Sequence, residues 1–285
     1  MEHVIAFPGL GLEFTLNRVA FNILGKDIYW YGVIICVGFV VAAAYSSRKT
    51  VQFGYTKDNL YDLLLLCVPI SIVCARLYYV VFEWDSYKGH PIEILMIWHG
   101  GLAIYGGILG AVATICIYGK RHRLNIPGML DVAACGIIIG QIFGRWGNFV
   151  NAEAFGGPTS LPWGMAIDGA APVHPTFFYE SLWNLLGFFI LHLCSKRRRF
   201  RGEIFLIYAA WYGFGRFWIE GLRSDSLYIP GTPLRVSQVL AGFSCIAAAV
   251  LLILGRKNKV ETLGQIWCPT ALEKPIDLDK KENDQ

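Results

Sequence analysis

Residues 127–153 read PGMLDVAACGIIIGQIFGRWGNFVNAE. The stretch from Pro127 to Phe143 is predominantly apolar and approaches the roughly 20 residues that an α-helix needs to cross a bilayer. The ten residues after it place Arg145, Asn148, Asn151 and Glu153 directly at its end. Together they predict a membrane-spanning helix that finishes in a concentration of polar groups. Gly144, Gly147, Gly156 and Gly157 are read as points where the backbone turns sharply and approaches a ligand.

The rest of the chain extends the apolar half of that pattern. Of 285 residues, 55% are hydrophobic and 16% charged, where soluble domains carry about 25% charged residues. Mean hydropathy is positive, +0.46, which is membrane-protein composition. Seven segments are long and apolar enough for spans: Ile28 to Tyr45, Leu60 to Phe82, Gly101 to Tyr118, Pro127 to Phe143, Thr176 to Cys194, Glu203 to Ile219, and Val236 to Leu254. Residues 1–24 lack a basic start and are interrupted by Pro8, Gly9 and Gly11, so no cleavable signal peptide is expected.

Lysine and arginine in the short connections set the orientation. SSRKT, GKRHR, SKRRRFR and GRKNK follow the first, third, fifth and seventh spans, which places those exits in the cytoplasm and the N-terminus outside. The net charge of +4 is then a topology signal instead of a nucleic-acid footprint. Two outer stretches exceed simple connections. Glu83 to His99 contains HPIEILMIW, suited to an interfacial or re-entrant segment, and Arg145 to Pro175 is rich in Gly and Pro, suited to turns or short strands. The expected architecture is an all-α polytopic membrane protein, seven transmembrane helices with an extracytoplasmic cap of loops and short elements. Residues 1–259 form the membrane domain and 260–285 a flexible cytoplasmic tail ending KKENDQ. Seven of the eight cysteines fall in apolar spans, the eighth is Cys268, and no pair has metal-site spacing.

Ionisable groups inside a bilayer are costly and mark function. In this topology Tyr31, Arg76, His99, Arg145, Asn148, Glu153, His174, Glu180, Tyr212, Arg216, Glu220 and Arg223 all fall at the outer end. Asp62 and Asp131 lie near the inner ends and read as structural partners. Tyr212, Arg216 and Glu220 recur every fourth residue, on one helical stripe, where Arg216 and Glu220 could pair with each other. Arg145 then supplies a surplus of positive charge, to which Arg76 and Arg223 add. Guanidinium groups match phosphate oxygens, and a phosphate at headgroup depth is most simply that of a phospholipid. Asn148, Asn151 and Tyr212 suit an alcohol headgroup beyond it. His99, uncrowded between Trp98 and Gly100–Gly101, can take a proton near neutrality. His174, beside Pro175 at the start of the fifth span, suits a capping or orienting role.

HGGL, GRWGNFVNAEAFGG, HPTFFYE and YGFGRFWIEGLR, in this order on seven predicted spans, closely resemble the bacterial prolipoprotein diacylglyceryl transferases. The likeness runs from WYG at Trp30 to Gly32 through the seventh span. It implies transfer of the diacylglyceryl group of phosphatidylglycerol to the lipobox cysteine thiol of a prolipoprotein, with a thioether and glycerol phosphate as products. It also implies a multi-pass protein of the bacterial inner membrane, working toward the outer leaflet without cofactor or metal. By motif, His99, Arg216, Glu220 and Tyr31 correspond to catalytic positions, and Arg145, Asn148, Glu153, Gly156 and Tyr212 to phosphatidylglycerol-binding ones. Trp146 stands where a smaller apolar residue is common, and Ala103 to Tyr105 after HGGL also depart from the pattern; neither removes a functional group. The alternative from another class, a transporter or channel for anions or phospholipids, requires polar residues through the full membrane depth. The inner halves of these spans are mostly apolar.

Overall fold

A helix occupies most or all of each of the seven apolar segments, starting two residues late in the first and three late in the third: α1 (Trp30–Gln52), α2 (Lys57–Phe82), α4 (Ile104–Arg121), α5 (Ile126–Val150), α6 (Thr176–Ser195), α7 (Glu203–Glu220) and α8 (Val236–Lys257). Among the described residues there are also two single-turn helices, α3 (Trp84–Tyr87) and α9 (Gly264–Trp267). The computed structural model describes residues 2–224, 226–229 and 231–267. Cys268 and the rest of the expected tail lie outside the described residues. By length and composition α1, α2, α5, α6 and α8 can cross a membrane, and the chain is a mostly helical, polytopic membrane protein. The other two are 18 residues long, and that length includes their charged residues, Lys120 and Arg121 in α4 and Glu203, Arg216 and Glu220 in α7.

The helices run beyond the apolar segments into the flanking polar residues. SSRKT, expected as a loop, is the end of α1, and Lys49, Lys120, Arg121, Arg256 and Lys257 occupy last turns. Cations there complement the partial negative charge of the terminal carbonyls. At the other end of α2, Thr56 and Asn59 cap each other, each side-chain oxygen accepting the partner's backbone N–H at 3.2 Å. The most consequential extension is in α5. It continues to Val150, so Gly144 and Gly147 are helical and not the turn expected of them. The chain turns after α5, where Ala152 and Ala154 take φ of 53° and 57°.

The described residues divide into two compact units, one holding residues 2–46 and 130–267, the other residues 47–129. In the second, α4 lies close on α2 through Gly106 and Gly110. A methyl group on Gly106 would come within 2.4 Å of the Cys74 carbonyl oxygen, and one on Gly110 within 2.9 Å of Cys74 Cβ. Small residues four apart let helix backbones approach in a membrane, where dispersion contacts drive association.

In the first unit α5 carries the fully buried Ala134 and Ile138, and α6 packs antiparallel to it. Trp146 Nε1 donates to Ser181 Oγ at 3.1 Å, and that hydroxyl donates to the Ile142 carbonyl at 3.3 Å. Between α6 and α7, the Trp183 and Trp211 rings stack at 4.2 Å, and each indole N–H donates to the other's carbonyl, at 3.0 and 2.9 Å. Asp131, fully buried, caps the start of α7. It accepts the Gly202 and Phe205 N–H groups at 2.8 and 2.9 Å and the Arg198 guanidinium at 3.0 Å, the structural role expected of it. A core of Phe200, Leu206, Ala248 and Leu263 includes Val260 and Ile266, so packing continues past residue 259 as far as the described chain.

The N-terminal residues form strands that apolar-segment counting does not reveal. β1 (Glu2–Phe7) pairs antiparallel with β2 (Leu12–Asn17), and β3 (Val19–Ile23) with β4 (Lys26–Tyr29). β1 also pairs with β5 (Ala166–Ile167), which joins the N-terminus to the α5–α6 connection. The expected short structure in that connection is this strand and the bridges Pro158–Val173 and Met165–Val173. Ile5, Met165 and Phe177 form its buried core. At the edge, His3 Nδ1 lies 2.7 Å from Asp168 Oδ2, and the Val4 N–H donates to Asp168 Oδ1 at 2.8 Å. The His3 hydrogen bond, then the Val4 one, hold the Asp168 carboxyl below the usual range.

Candidate functional site

Arg145 and Asn148 project from the last turns of α5, three residues apart and thus on one face, with Arg145 Nη1 donating to Asn148 Oδ1 at 3.0 Å. Asn148 Nδ2 donates onward to Glu153 Oε1 at 2.9 Å, and Asn151 Nδ2 reaches the same oxygen at 3.3 Å. The C-terminal end of α5 is fastened from the strands, because Arg18, between β2 and β3, donates to the Asn151 carbonyl at 2.6 Å. Glu153 is exposed and held by these two amides just beyond the end of α5.

The centre of the cluster is Glu180, one turn into α6 and almost fully buried. Its Oε1 accepts from Arg145 Nη2 at 2.7 Å and its Oε2 from Arg216 Nη1 at 3.1 Å. One carboxylate thus joins α5 to α7. On α7, Arg216 Nη2 lies 2.6 Å from Glu220 Oε2 but off the line of a hydrogen bond, so that contact is chiefly Coulombic. Arg235, ahead of α8, donates to the Glu220 carbonyl and to Tyr228 Oη.

Two guanidinium groups therefore face two buried carboxylates. This corrects the expected surplus of positive charge: the cluster balances internally. Exposure is divided unequally, however. The Arg145 and Arg216 side chains keep 20% and 16% of their surface open, while Glu180 and Glu220 keep 3% each. What an entering ligand meets is cationic, and each guanidinium has five N–H donors to distribute. Such an edge suits a phosphate group, whose oxygens accept paired donors.

Tyr212, one turn before Arg216, borders the Arg145 guanidinium and stacks on Tyr208 at 5.7 Å. Tyr208 in turn accepts a hydrogen bond from Gln141 at 2.8 Å. Tyr31, at the start of α1, lies against Gly147; a methyl group on that glycine would come within 2.8 Å of the ring. Gly156 is packed against backbone. Its N–H donates to the His174 carbonyl at 2.9 Å, it bridges to Arg223, and a methyl there would come within 2.6 Å of His174 Cβ. His174 lies 3.4 Å from Tyr179 Oη through Nδ1, consistent with an orienting role.

His99 and Arg76 belong to the other unit. His99 closes a 3-10 turn, Ile97–His99, that follows another at Pro91–Leu95. Arg76, expected to add positive charge for a ligand, is instead 5% exposed and committed to main-chain carbonyl oxygens of Glu93, Ile94, Gly100 and Gly101, at 2.5 to 3.0 Å.

Six of the nine site residues expected from the sequence, Arg145, Asn148, Glu153, Tyr212, Arg216 and Glu220, thus fall in one connected network. Glu180 carries no role in the sequence reading, which only groups it with the other outer-end residues; HPTFFYE, with a carboxylate one turn into a helix, is its only signal. Arg235 had none.

A model of the prolipoprotein diacylglyceryl transferase family matches residues 18–254. A phosphatidylglycerol–prolipoprotein diacylglyceryl transferase of Geobacillus kaustophilus is 47% identical over 253 residues, 85% of this chain and 93% of that protein. Proteins of the same name from Lysinibacillus sphaericus and Clostridioides difficile are 44% and 39% identical, over 88% and 86% of this chain and 96% and 98% of their own lengths.

Proposed function

The chain belongs to the prolipoprotein diacylglyceryl transferase family, and from that premise we infer that it transfers the diacylglyceryl group of phosphatidylglycerol to a prolipoprotein. The observation that carries the site assignment is the Arg145–Glu180–Arg216–Glu220 cluster, whose accessible edge is guanidinium. The relatives' names support transfer, not transport.

The acceptor is the lipobox cysteine. A thiol reacts as its thiolate and has an ordinary pKa of about 8.5, so a base is required; by motif this is His99. The sulfur forms a bond to the glyceryl carbon that carries the phosphate ester, the C–O bond breaks, and glycerol phosphate departs with the electron pair. Arg145 and Arg216 stabilise the charge gathering on the departing phosphate, Glu220 and Glu180 orient them, and Asn148, Glu153 and Tyr212 contact the headgroup. Tyr31 assists from the start of α1, and Gly156 sets the backbone beneath. The seven long helices span the bacterial inner membrane, with the strands and the α5–α6 connection as a cap on the extracytoplasmic side and the residues after 259 in the cytoplasm. The basic connections support that orientation.

The test uses purified protein, vesicles containing labelled phosphatidylglycerol and a lipobox peptide, with thioether product as the readout. Replacing Arg145 with Ala removes one charged donor and lowers turnover about a hundredfold, about 3 kcal/mol. Normal turnover by Arg145→Ala would refute the phosphate clamp, and no product with native protein would refute the activity.

A further inference from the structure

Between α2 and α4 the chain runs twenty-one residues, 83–103, with only α3 and two 3-10 turns as regular structure. Short turns leave their C-terminal carbonyls without helical partners. Arg76 gathers these carbonyls. Its Nε donates to Ile94 O at 2.9 Å and Nη2 to Glu93 O at 2.5 Å, at the end of the first turn. Its Nη1 donates to Gly100 O at 2.6 Å and Gly101 O at 3.0 Å, just after the second. The turn Ile97–His99 is therefore bracketed, both ends tied to one guanidinium. A further backbone bond, Ala103 N–H to Ala75 O at 3.1 Å, fastens the exit into α4.

The two glycines after His99 fit this arrangement. Gly100 and Gly101 take φ of 88° and 76°, a region that L side chains rarely adopt. A methyl group on Gly101 would also lie 2.5 Å from Arg76 Nη1. The backbone of HGG is thus fitted to Arg76. The Tyr87 ring lies 5.0 Å from the Arg76 guanidinium carbon and covers it. Among the described residues Arg76 forms no ion pair, so its buried charge is satisfied by this loop's carbonyl dipoles and that ring.

We propose that Arg76 is a positioning residue of the transfer reaction, fixing the backbone that carries His99. The inference rests on the reading of His99 as the base. Lysine cannot replace it, since three donors on one nitrogen cannot reach both sides of the bracket as a planar fork does.

The test uses the full chain in phosphatidylglycerol vesicles with a lipobox peptide. The variants are Arg76→Lys, Gly101→Ala, His99→Gln and the double variant Arg76→Lys/His99→Gln, with thermal unfolding measured on each. Arg76→Lys and Gly101→Ala each lower kcat about a hundredfold while the KM for phosphatidylglycerol stays unchanged, the cost of a misplaced reacting group. The double variant is no slower than His99→Gln alone, because both changes remove one function. If Arg76→Lys does not fold, Gly101→Ala, which keeps the guanidinium, carries the test. Native kcat in Arg76→Lys and Gly101→Ala beside an inactive His99→Gln overturns the inference alone, even where thermal stability falls. A double variant slower than His99→Gln by the full Arg76→Lys factor overturns it too. Full turnover by His99→Gln overturns the reading of the base, and the inference with it.

Discussion

Replacing Glu180 with Gln preserves shape and removes charge at the point where α5, α6 and α7 meet. The native carboxylate offers one oxygen to Arg145 at 2.7 Å and the other to Arg216 at 3.1 Å. An amide has one acceptor oxygen, so one guanidinium is left facing an NH2 group. Removing one partner of a buried ion pair costs about 3–5 kcal/mol. Here the guanidinium ends keep 20% and 16% of their surface open, and water compensates part of the loss, which points to the lower end, about 3 kcal/mol. Activity falls for a related reason: a displaced arginine no longer meets the departing phosphate, a loss of about a hundredfold in kcat/KM, or roughly 2.7 kcal/mol. Glu180→Asp retains the charge on a side chain one methylene shorter and falls between the two. Combined with Arg216→Ala, Glu180→Gln costs less than the sum of the single changes, since they disrupt one shared contact. The assays are thermal unfolding in detergent and thioether formation from labelled phosphatidylglycerol. Glu180→Gln with native turnover and native stability would show that the bridging carboxylate does not organise the arginines.

Asp131→Asn leaves a single acceptor oxygen for three donors, the Gly202 and Phe205 N–H groups and Arg198, removes the charge that pairs with Arg198, and destabilises the fold by about 3 kcal/mol. Because Gly202 lies fourteen residues before Arg216 on α7, about 20 Å along the axis, the folded fraction keeps native kcat; a selective loss of kcat without loss of stability refutes the capping role. The Asp168 carboxyl, lowered in the folded state, contributes stability that is complete above its unfolded pKa of about 3.9 and lost as pH falls through the lower folded value. Hydrogen exchange in β1, corrected for intrinsic rates, rises over that acid range in the native protein and loses the dependence in Asp168→Asn; identical profiles count against the His3–Asp168 contact.

The long helices were legible because their apolar segments approach a length and composition requirement that lipid imposes on any chain, which five of the seven meet outright. Their ends were less so, and α5 shows why. The apolar run stops at Phe143, yet the helix continues to Val150, because the charge on Arg145 is met by Glu180 from a helix thirty-five residues away. Tertiary partners of that kind leave no trace in local composition. The stripe of Tyr212, Arg216 and Glu220 was readable from its four-residue period, whereas the carboxylate that binds Arg216 to Arg145 was not. Arg76 looked like one more cation for a ligand, since its acceptors are backbone oxygens and backbone carries no sequence signal. The N-terminal strands did carry one, an alternation in LEFTLN and a Leu24–Gly25 turn between β3 and β4.

The carboxylate of Glu180 also bears on how the cycle ends. A site made of two bare arginines would grip any phosphate-bearing product and give it up slowly. In the proposed reaction an anion is already seated between them, so a departing glycerol phosphate leaves no unneutralised cations behind. Release becomes an exchange of counter-ions within the protein, and the vacated cluster is already arranged for the next lipid.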